Sequence, residues 1–355
     1  MKVLFTGGGS AGHVTPNVAL IERLLEQGHQ VVYLGSATGI EKDIVSKLNV
    51  PYRAVATGKL RRYFSWQNFI DPFKILFGVL QALFMVAMER PQVVFSKGGF
   101  VSVPVVFAAL VNRVPVISHE SDVTPGLATK LNLPFSRWLC VNFEESRQHL
   151  PDEKVKVTGT PMRQALVQGD ASRAYSFLGV QQDKPIILVF GGSLGARTIN
   201  QAVRAALPQL SEKYVIAHIC GAGNLDADLD SASGYFQFEY LYEEFGDLLA
   251  AASMVVSRAG ANSIYELLVA GKPHLLIPLG LQASRGDQIV NAETFTAAGY
   301  SHMLLEQDLT TEALVKAVAE LTADRDAQVE RLSAFPRHDT VKEITDLILE
   351  AGGHE

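Results

Sequence analysis

One local design occurs twice in this 355-residue chain: an apolar run, a cluster of glycines, then a helical pattern. Lys2 to Thr6 leads into Gly7-Gly8-Gly9-Ser10-Ala11-Gly12-His13, and Ile186 to Phe190 leads into Gly191-Gly192-Ser193-Leu194-Gly195-Ala196-Arg197. Glycine lets a backbone approach a phosphate closely, and the helix that follows offers unpaired N–H groups and a partial positive charge. Two such turns predict two nucleotide-fold halves facing one central cleft.

Length and composition agree with two domains of ordinary size. With 48% hydrophobic and 19% charged residues there is ample material for two cores. A net charge of -6 provides no general field for a polyanion, which argues against nucleic acid as the main partner. Cys140 and Cys220 each end an apolar run, with neither metal-ligand spacing nor a disulfide framework, which fits a reducing cytoplasm. The opening KVLFT lacks the basic, apolar and cleavage regions of a secretory signal, so export is not expected.

Short apolar runs alternate with helical patterns, the signature of α/β architecture with parallel sheets of βαβ units. Strands are predicted at 3–6, 31–34, 93–96, 114–118 and 138–141, then at 186–190, 214–220, 254–257 and 274–278. Thr15 reads as the N-cap of the first helix, with Pro16 at its first position and Gly28 at its end. The domain boundary is placed near Pro161, giving 1–161 and 162–336. Residues 314–321 read as helical, and a last helix at 341–349, within 337–355, is expected to return to the first domain.

Gly7, Gly9 and Gly12 match G-x-G-x-x-G, which alone is a weak signal for a dinucleotide fold. A nicotinamide enzyme needs an acid at the end of the second strand to hold the ribose, and VVYLGSATG has none. No P-loop sequence is present. Asp226, Asp228 and Asp230 form D-x-D pairs, but in a polar, glycine-containing stretch that reads as a solvated loop. His119, Glu120 and Asp122 cluster without a defensible ligand spacing, so no metal and no cofactor are predicted.

A third strand–loop–helix passage runs from Met254 to Glu266. Glu266 falls about one turn into the helix, where a carboxylate can pair both hydroxyls of a ribose or simply complement the helix dipole. Pro278 to Asn291 is a polar, side-chain-rich loop after a buried strand, where open α/β sheets hold ligands. The oiliest stretch is Ile75 to Met88, preceded by Lys59-Leu60-Arg61-Arg62-Tyr63-Phe64-Ser65-Trp66. Fourteen helical residues make roughly 21 Å, short of the bilayer's hydrocarbon thickness of about 30 Å. Such a helix either packs under the sheet or lies on a membrane. Burying Phe73, Phe77 and Phe84 is worth about 5 to 9 kcal/mol, and Arg61 and Arg62 add about 1 kcal/mol each on anionic lipid.

GGGSAGHVTP at 7–16, SKGGFVSVP at 96–104, HESDVTPGLATK at 119–130, GTPMR at 159–163, GGSLGAR at 191–197, SRAGANSIYE at 257–266 and GDQIVNA at 286–292 together resemble the MurG family. These are bacterial N-acetylglucosaminyltransferases that convert lipid I to lipid II in peptidoglycan synthesis, and so serve cell wall biogenesis, cell shape and cell division. The resemblance spans nearly the whole chain. It implies the two-Rossmann-domain glycosyltransferase architecture called GT-B, an N-terminal acceptor and membrane side, and a C-terminal domain for UDP-N-acetylglucosamine. By the same analogy Ser10, Ala11 and Gly12 lie near the donor sugar, Arg163 and Ser193 at the diphosphate, Glu266 at the ribose, Gln288 at the sugar hydroxyls and Leu241 at uracil. His13 stands where the family places a candidate general base. Attack from the face opposite UDP would invert the α-linked donor to a β-1,4 product, with Arg163 and the helix end after Gly191 stabilising the leaving diphosphate in place of a metal.

The chain departs from the family's common pattern at Ala11, Asp122 and Asp287. A carboxylate beside a diphosphate would repel it, so Asp122 is expected to face a sugar hydroxyl or the acceptor. The resemblance also implies a peripheral attachment to the cytoplasmic face of the cell membrane, where a lipid-linked acceptor is met. The alternatives are another GT-B enzyme using the same donor, such as a UDP-N-acetylglucosamine 2-epimerase, and a catalytically silent nucleotide-sugar-binding adaptor at the membrane.

Overall fold

The computed structural model describes residues 1–57, 67–162, 168–192, 195–230, 232–282 and 284–353, and for 67–75 the backbone alone. The chain divides into two compact units, Met1–Arg163 with His338–Glu355, and Gln164–Arg337. The first runs β1 (Lys2–Thr6), α1 (Thr15–Glu26), β2 (Gln30–Ser36), α2 (Ile40–Ser46), β3 (Tyr52–Val55), α3 (Gln67–Glu89), β4 (Val93–Ser96), α4 (Ser102–Val111), β5 (Val116–Glu120), α5 (Leu127–Asn132), β6 (Trp138–Val141) and β7 (Val155–Val157). Its seven strands pair in parallel in the order β3-β2-β1-β4-β5-β6-β7.

A parallel sheet is covered on both faces, so its central strands are apolar throughout, and the two-residue period only sorts side chains between two cores. Val3, Phe5, Val31, Tyr33, Val93 and Phe95 point to one side, with Leu20, Ile21 and Leu24 of α1. Leu4, Val32, Leu34 and Val94 point to the other, with Ala82 and Val86 of α3 and Val105 and Ala109 of α4.

The second unit runs α6 (Ala171–Leu178), β8 (Ile186–Phe190), α7 (Arg197–Leu210), β9 (Val215–Ile219), β10 (Tyr235–Phe238), α8 (Glu244–Ala251), β11 (Ala252–Ser257), α9 (Ala261–Val269), β12 (His274–Leu276), α10 (Asp287–Ala297), β13 (His302–Met303) and α11 (Thr311–Ser333). Its six strands are also parallel, in the order β10-β9-β8-β11-β12-β13. A last helix, α12 (Thr340–Ala351), belongs to the first unit, where Ile344 and Ile348 enter its core and the Thr340 hydroxyl donates to the Thr158 carbonyl at 2.7 Å.

Several sequence expectations shift. Four strands that the apolar-run criterion passes over, β3, β7, β10 and β13, lie at or next to sheet edges, where one side needs no apolar cover. Thr15 is not the N-cap of α1. A 3₁₀ turn at Ala11–His13 intervenes, Val14 occupies the cap, and Thr15 and Pro16 are already helical. The strand expected at 114–118 moves on by two residues, which makes His119 and Glu120 the end of β5 instead of a loop. The helix expected from Ile75 begins at Gln67.

Among the described residues no helix is long and apolar enough to cross a membrane. α3 is neither wholly buried nor wholly free. Gly78, Ala82 and Val86, one turn apart, face the sheet. Leu76, Phe77, Leu80, Phe84 and Met88 are turned outward, with Phe77 and Phe84 56% and 68% exposed.

Candidate functional site

All seven motifs follow the carboxyl ends of parallel strands: β1, β4, β5 and β7 in the first unit, β8, β11 and β12 in the second. This is the edge at which open α/β sheets bind ligands. In the first unit the turn after β1 is held from beneath. The Tyr33 hydroxyl donates to the Gly7 carbonyl at 2.8 Å and accepts from Asn17 Nδ2 at 3.1 Å. Burial raises the Tyr33 pKa, which keeps that donor protonated.

Glu41, fully buried on α2, accepts from the Gly9 amide at 3.2 Å and from the Ser36 amide and hydroxyl at 2.9 and 2.5 Å. Sequence reading found no acid at the end of β2 because Glu41 lies five residues beyond it. Here the acid engages the turn itself instead of a ribose. Any side chain at Gly8 would strike the Glu41 carboxylate, since a Cβ there would sit 2.5 Å from its Oε1.

Ser10 and Gly12 are exposed, and Ala11 and His13 half-buried. The turn after β4 approaches the same place. A Cβ at Gly98 would lie 4.0 Å from His13 Nδ1, and one at Gly99, whose φ is +80°, would meet the Gly8 carbonyl at 2.2 Å. Only glycine fits there.

Beneath these turns Lys97 is buried, its ammonium within hydrogen-bond reach of His119 Nδ1 at 2.8 Å and of the Ser121 hydroxyl. His119 Nε2 lies 2.9 Å from the Gly159 carbonyl. A carbonyl only accepts, so Nε2 carries the ring's proton and Nδ1 accepts a hydrogen bond from the Lys97 ammonium. Burial, together with the adjacent Lys97 charge, holds the His119 pKa well below its ordinary value, so the ring is neutral. Burial also lowers Lys97 to about 8, against the opposing pull of Glu120 and Asp122.

Of the cluster His119, Glu120 and Asp122, Glu120 shapes the loop. The Glu120 carboxylate accepts from the amides of Ser121, Asp122 and Gly126 at 2.8, 3.2 and 2.9 Å and from the Thr129 hydroxyl at 2.6 Å, folding the loop onto the start of α5. Asp122 is half-buried in that loop. Among the described residues no group of three His, Cys, Asp or Glu side chains is placed to hold a metal ion. Asp226 accepts from the Asp228 amide, and Asp230 from Gln237 Nε2, inside a surface turn.

In the second unit the turn after β8 is shaped by Gly191, Gly192 and Gly195. A Cβ at Gly195, where φ is +74°, would sit 2.0 Å from the Cys220 carbonyl. α7 then starts after Ala196, an N-cap residue that makes no side-chain hydrogen bond to the first amides. Glu266 is half-buried on α9, whose first turn holds no acid, so dipole compensation does not account for it. Gln288 Oε1 accepts from the Leu279 amide at 3.0 Å and closes the loop after β12. Asp287 pairs with Arg285 at 2.9 Å at the start of α10. Leu241, just past β10, packs half-buried against the core beneath α8.

Sequence reading missed Arg258. This buried guanidinium at the end of β11 donates to the carbonyls of Ile277 and Pro278, to the Thr198 hydroxyl at 3.0 Å and to Glu306 at 2.5 Å, while Glu306 also accepts from the Gly280 amide at 2.9 Å. Four loops of the binding edge are thus tied to one another. Burial alone would raise the Glu306 pKa, but hydrogen bonds from Thr198, Arg258 and Gly280 bring it below its ordinary value. The only sequence signal was an arginine directly after an apolar strand. Of the other expected site residues, Arg163, Ser193, Arg61 and Arg62, and the side chain of Phe73, lie outside the described residues.

Residues 3–138 match the glycosyltransferase family 28 N-terminal domain, and residues 186–348 its C-terminal domain. The chain is 51% identical over 350 residues to the UDP-N-acetylglucosamine–N-acetylmuramyl-(pentapeptide) pyrophosphoryl-undecaprenol N-acetylglucosamine transferase 2 of Bacillus anthracis, covering 99% of each chain. It is 48% identical over 347 residues to the transferase of the same name, without the numeral, from Clostridium perfringens strain SM101, covering 98% of this chain and 97% of that one. Among solved structures it resembles MurG of Acinetobacter baumannii, with 25% identity, a TM-score of 0.78, and 98% and 99% of the two chains covered. A UDP-GlcNAc 2-epimerase from Neisseria meningitidis shares the fold alone, with 14% identity and a TM-score of 0.69.

Proposed function

Since the chain belongs to glycosyltransferase family 28, and within it to the UDP-N-acetylglucosamine–N-acetylmuramyl-(pentapeptide) pyrophosphoryl-undecaprenol N-acetylglucosamine transferases, we propose that it moves N-acetylglucosamine from UDP-N-acetylglucosamine to lipid I. The product is lipid II of peptidoglycan synthesis. The observation that carries this reading is half identity over the full length, with every motif at the carboxyl edge of a GT-B pair of Rossmann-like sheets. An epimerase shares that fold, but the chain's close relatives are transferases.

In this reading residues 1–161 with the last helix take the acceptor and residues 162–336 take the donor. His13 removes the proton from the acceptor's sugar hydroxyl as its oxygen attacks the anomeric carbon. The carbon–oxygen bond to UDP breaks on the opposite face, its electron pair leaves with the diphosphate, and the configuration inverts. Arg163, Ser193 and the start of α7, whose N-cap Ala196 offers no side-chain bond, receive the diphosphate charge. Glu266 pairs the ribose hydroxyls and Gln288 offers its Nε2 donors to the sugar, since its oxygen is bound within the loop. Leu241 flanks uracil, Ser10, Ala11 and Gly12 border the donor sugar, and Asp122 faces the acceptor. The outward face of α3, with Phe77 and Phe84 and the adjoining Phe73, Arg61 and Arg62, rests on the cytoplasmic face of the membrane. Nucleic acid has no part in this.

Incubation with UDP-N-acetylglucosamine and lipid I, with and without chelator, is expected to release UDP and form the disaccharide lipid equally in both. Absence of product from lipid I ends the reading, and turnover that stops with chelator removes its metal-free mechanism. Liposome flotation tests the membrane face: replacing Phe73, Phe77 and Phe84 by Ser is expected to leave the protein at the bottom of the gradient, and unchanged flotation rejects that face.

A further inference from the structure

The first unit contains an apolar cavity of about 370 Å³ that the reaction chemistry above leaves unused. It opens between Val79 of α3, Phe100, Val103 and Phe107 in and before α4, and Ala128 and Leu131 of α5. Among the described residues no charged side chain lines it. Of its polar members, Thr57 stands two residues past β3, and Asn132 is committed, donating to the Ser102 hydroxyl at 2.8 Å. Its size falls in the range of specific ligand pockets, and among the described residues nothing in its lining selects a polar ligand.

Its position says what it is for. Phe100 directly follows the Gly98-Gly99 turn, and Gly98 is the glycine whose Cβ position lies 4.0 Å from His13 Nδ1. The oily wall therefore starts one residue past the turn beside the proposed base. Of the two reactants only the acceptor has an oily part, attached through its pyrophosphate, and UDP-N-acetylglucosamine has none. Phe107, one of its walls, is itself 40% exposed, and Leu110 and Val111, further along α4, and the outward residues of α3 are exposed apolar side chains. A chain leaving the cavity thus stays on apolar surface.

We propose that this cavity seats the first isoprene units of the acceptor's polyprenyl chain, fixing the acceptor sugar against His13 by its tail as well as its head. The inference rests on the transferase reading and deepens it. A chain of branched isoprene units, bound beside its own pyrophosphate, distinguishes this occupant from the acyl chains of bulk lipid, which would contact the outer face of α3 without reference to the glycine turn.

The test uses the full-length protein and synthetic acceptors with one sugar-peptide pyrophosphate head and three tails: methyl, geranyl and geranylgeranyl. Lengthening the tail from methyl to geranylgeranyl is expected to raise kcat/KM about tenfold or more through apolar burial. Ala128→Phe and Val103→Phe, which fill the cavity from two walls, are expected to cut that ratio below about threefold, on the same scale of burial. Unaltered affinity for UDP-N-acetylglucosamine by calorimetry verifies that each variant is folded. A geranyl tail carrying a diazirine should label peptides spanning 100–107 or 127–135. The inference is overturned if both filled variants keep the full ratio, or if labelling is confined to 76–88. A wild type that uses the methyl acceptor as well as the longest one overturns it too, while leaving the transferase standing. Failure to glycosylate any of the three acceptors brings down the transferase reading and this inference with it.

Discussion

The two glycine turns look interchangeable in sequence, yet they are built in opposite ways. In the turn after β1 a protein carboxylate, Glu41, already takes the Gly9 amide, and a 3₁₀ turn carrying His13 separates the glycines from α1. In the turn after β8 the glycines lead directly into α7, whose N-cap, Ala196, has no side chain that can cap, and among the described residues no carboxylate is bound to this turn's amides. On the proposed reading the first design holds the candidate base still and discourages a second anion at Gly9, while the second leaves its amides to one. The comparison teaches that a glycine-rich turn is a backbone shape, and that neighbouring side chains decide whether it receives a phosphate.

The sharpest way to break this contrast is His13→Ala. Loss of a general base is expected to lower kcat by about 10²- to 10⁴-fold while leaving the KM for UDP-N-acetylglucosamine nearly unchanged. Full turnover of lipid I by this variant would strip the first turn of its chemical role. Next in size is Gly195→Ala, which places a Cβ 2.0 Å from the Cys220 carbonyl at a φ of +74°. A strain of about 1 to 3 kcal/mol is expected to appear mainly as a rise in donor KM of about tenfold. A pure kcat effect would mean that this turn does not hold the donor.

Glu41→Gln sharpens the comparison from the other side. It keeps the shape of the side chain and removes the charge that binds Gly9 and Ser36, a loss of about 1.5 to 3 kcal/mol in charged hydrogen bonding. The expected result is lower stability in urea and a kcat reduced by about tenfold, with donor KM preserved; a selective rise in donor KM would reverse the assignment of the two turns.

The smallest effect concerns Lys97, beneath the first turn. Its folded-state pKa of about 8 is below its ordinary 10.5, so between those values the unfolded chain binds more protons, and folding grows more favourable as pH rises. Urea midpoints of the wild type relative to Lys97→Met should therefore climb from pH 8 to 10.5. A flat difference would mean that burial does not disfavour the charge of Lys97 in the folded chain.

How much was legible in the sequence varies with distance along the chain. Central strands such as β1, β4 and β8 are near-continuous apolar runs because both their faces are covered, and they were readable. Edge strands such as β3, with Arg53 and Ala54 exposed, lack that signature. Thr15 and Pro16 read well as a helix start, but the 3₁₀ turn at Ala11–His13, closed by hydrogen bonds from the amides of His13 and Val14, moved the cap to Val14. Glu266 stood out through its motif alone, whereas Arg258 and Glu306, 48 residues apart, form a pair that no local pattern announces.

By itself the sequence determined the parallel α/β class, the two glycine turns, the order of the motifs and the apolar character of α3, because each depends on neighbours within a few residues or on repeating periods. Tertiary structure alone decided that Glu41 closes the first turn, that Lys97 and His119 share a buried contact, that Arg258 ties four loops, and that α3, α4 and α5 enclose a cavity. Those features arise where strands distant in sequence bring their carboxyl ends side by side. There, hydrogen bonds and excluded water act between residues that the chain order keeps apart.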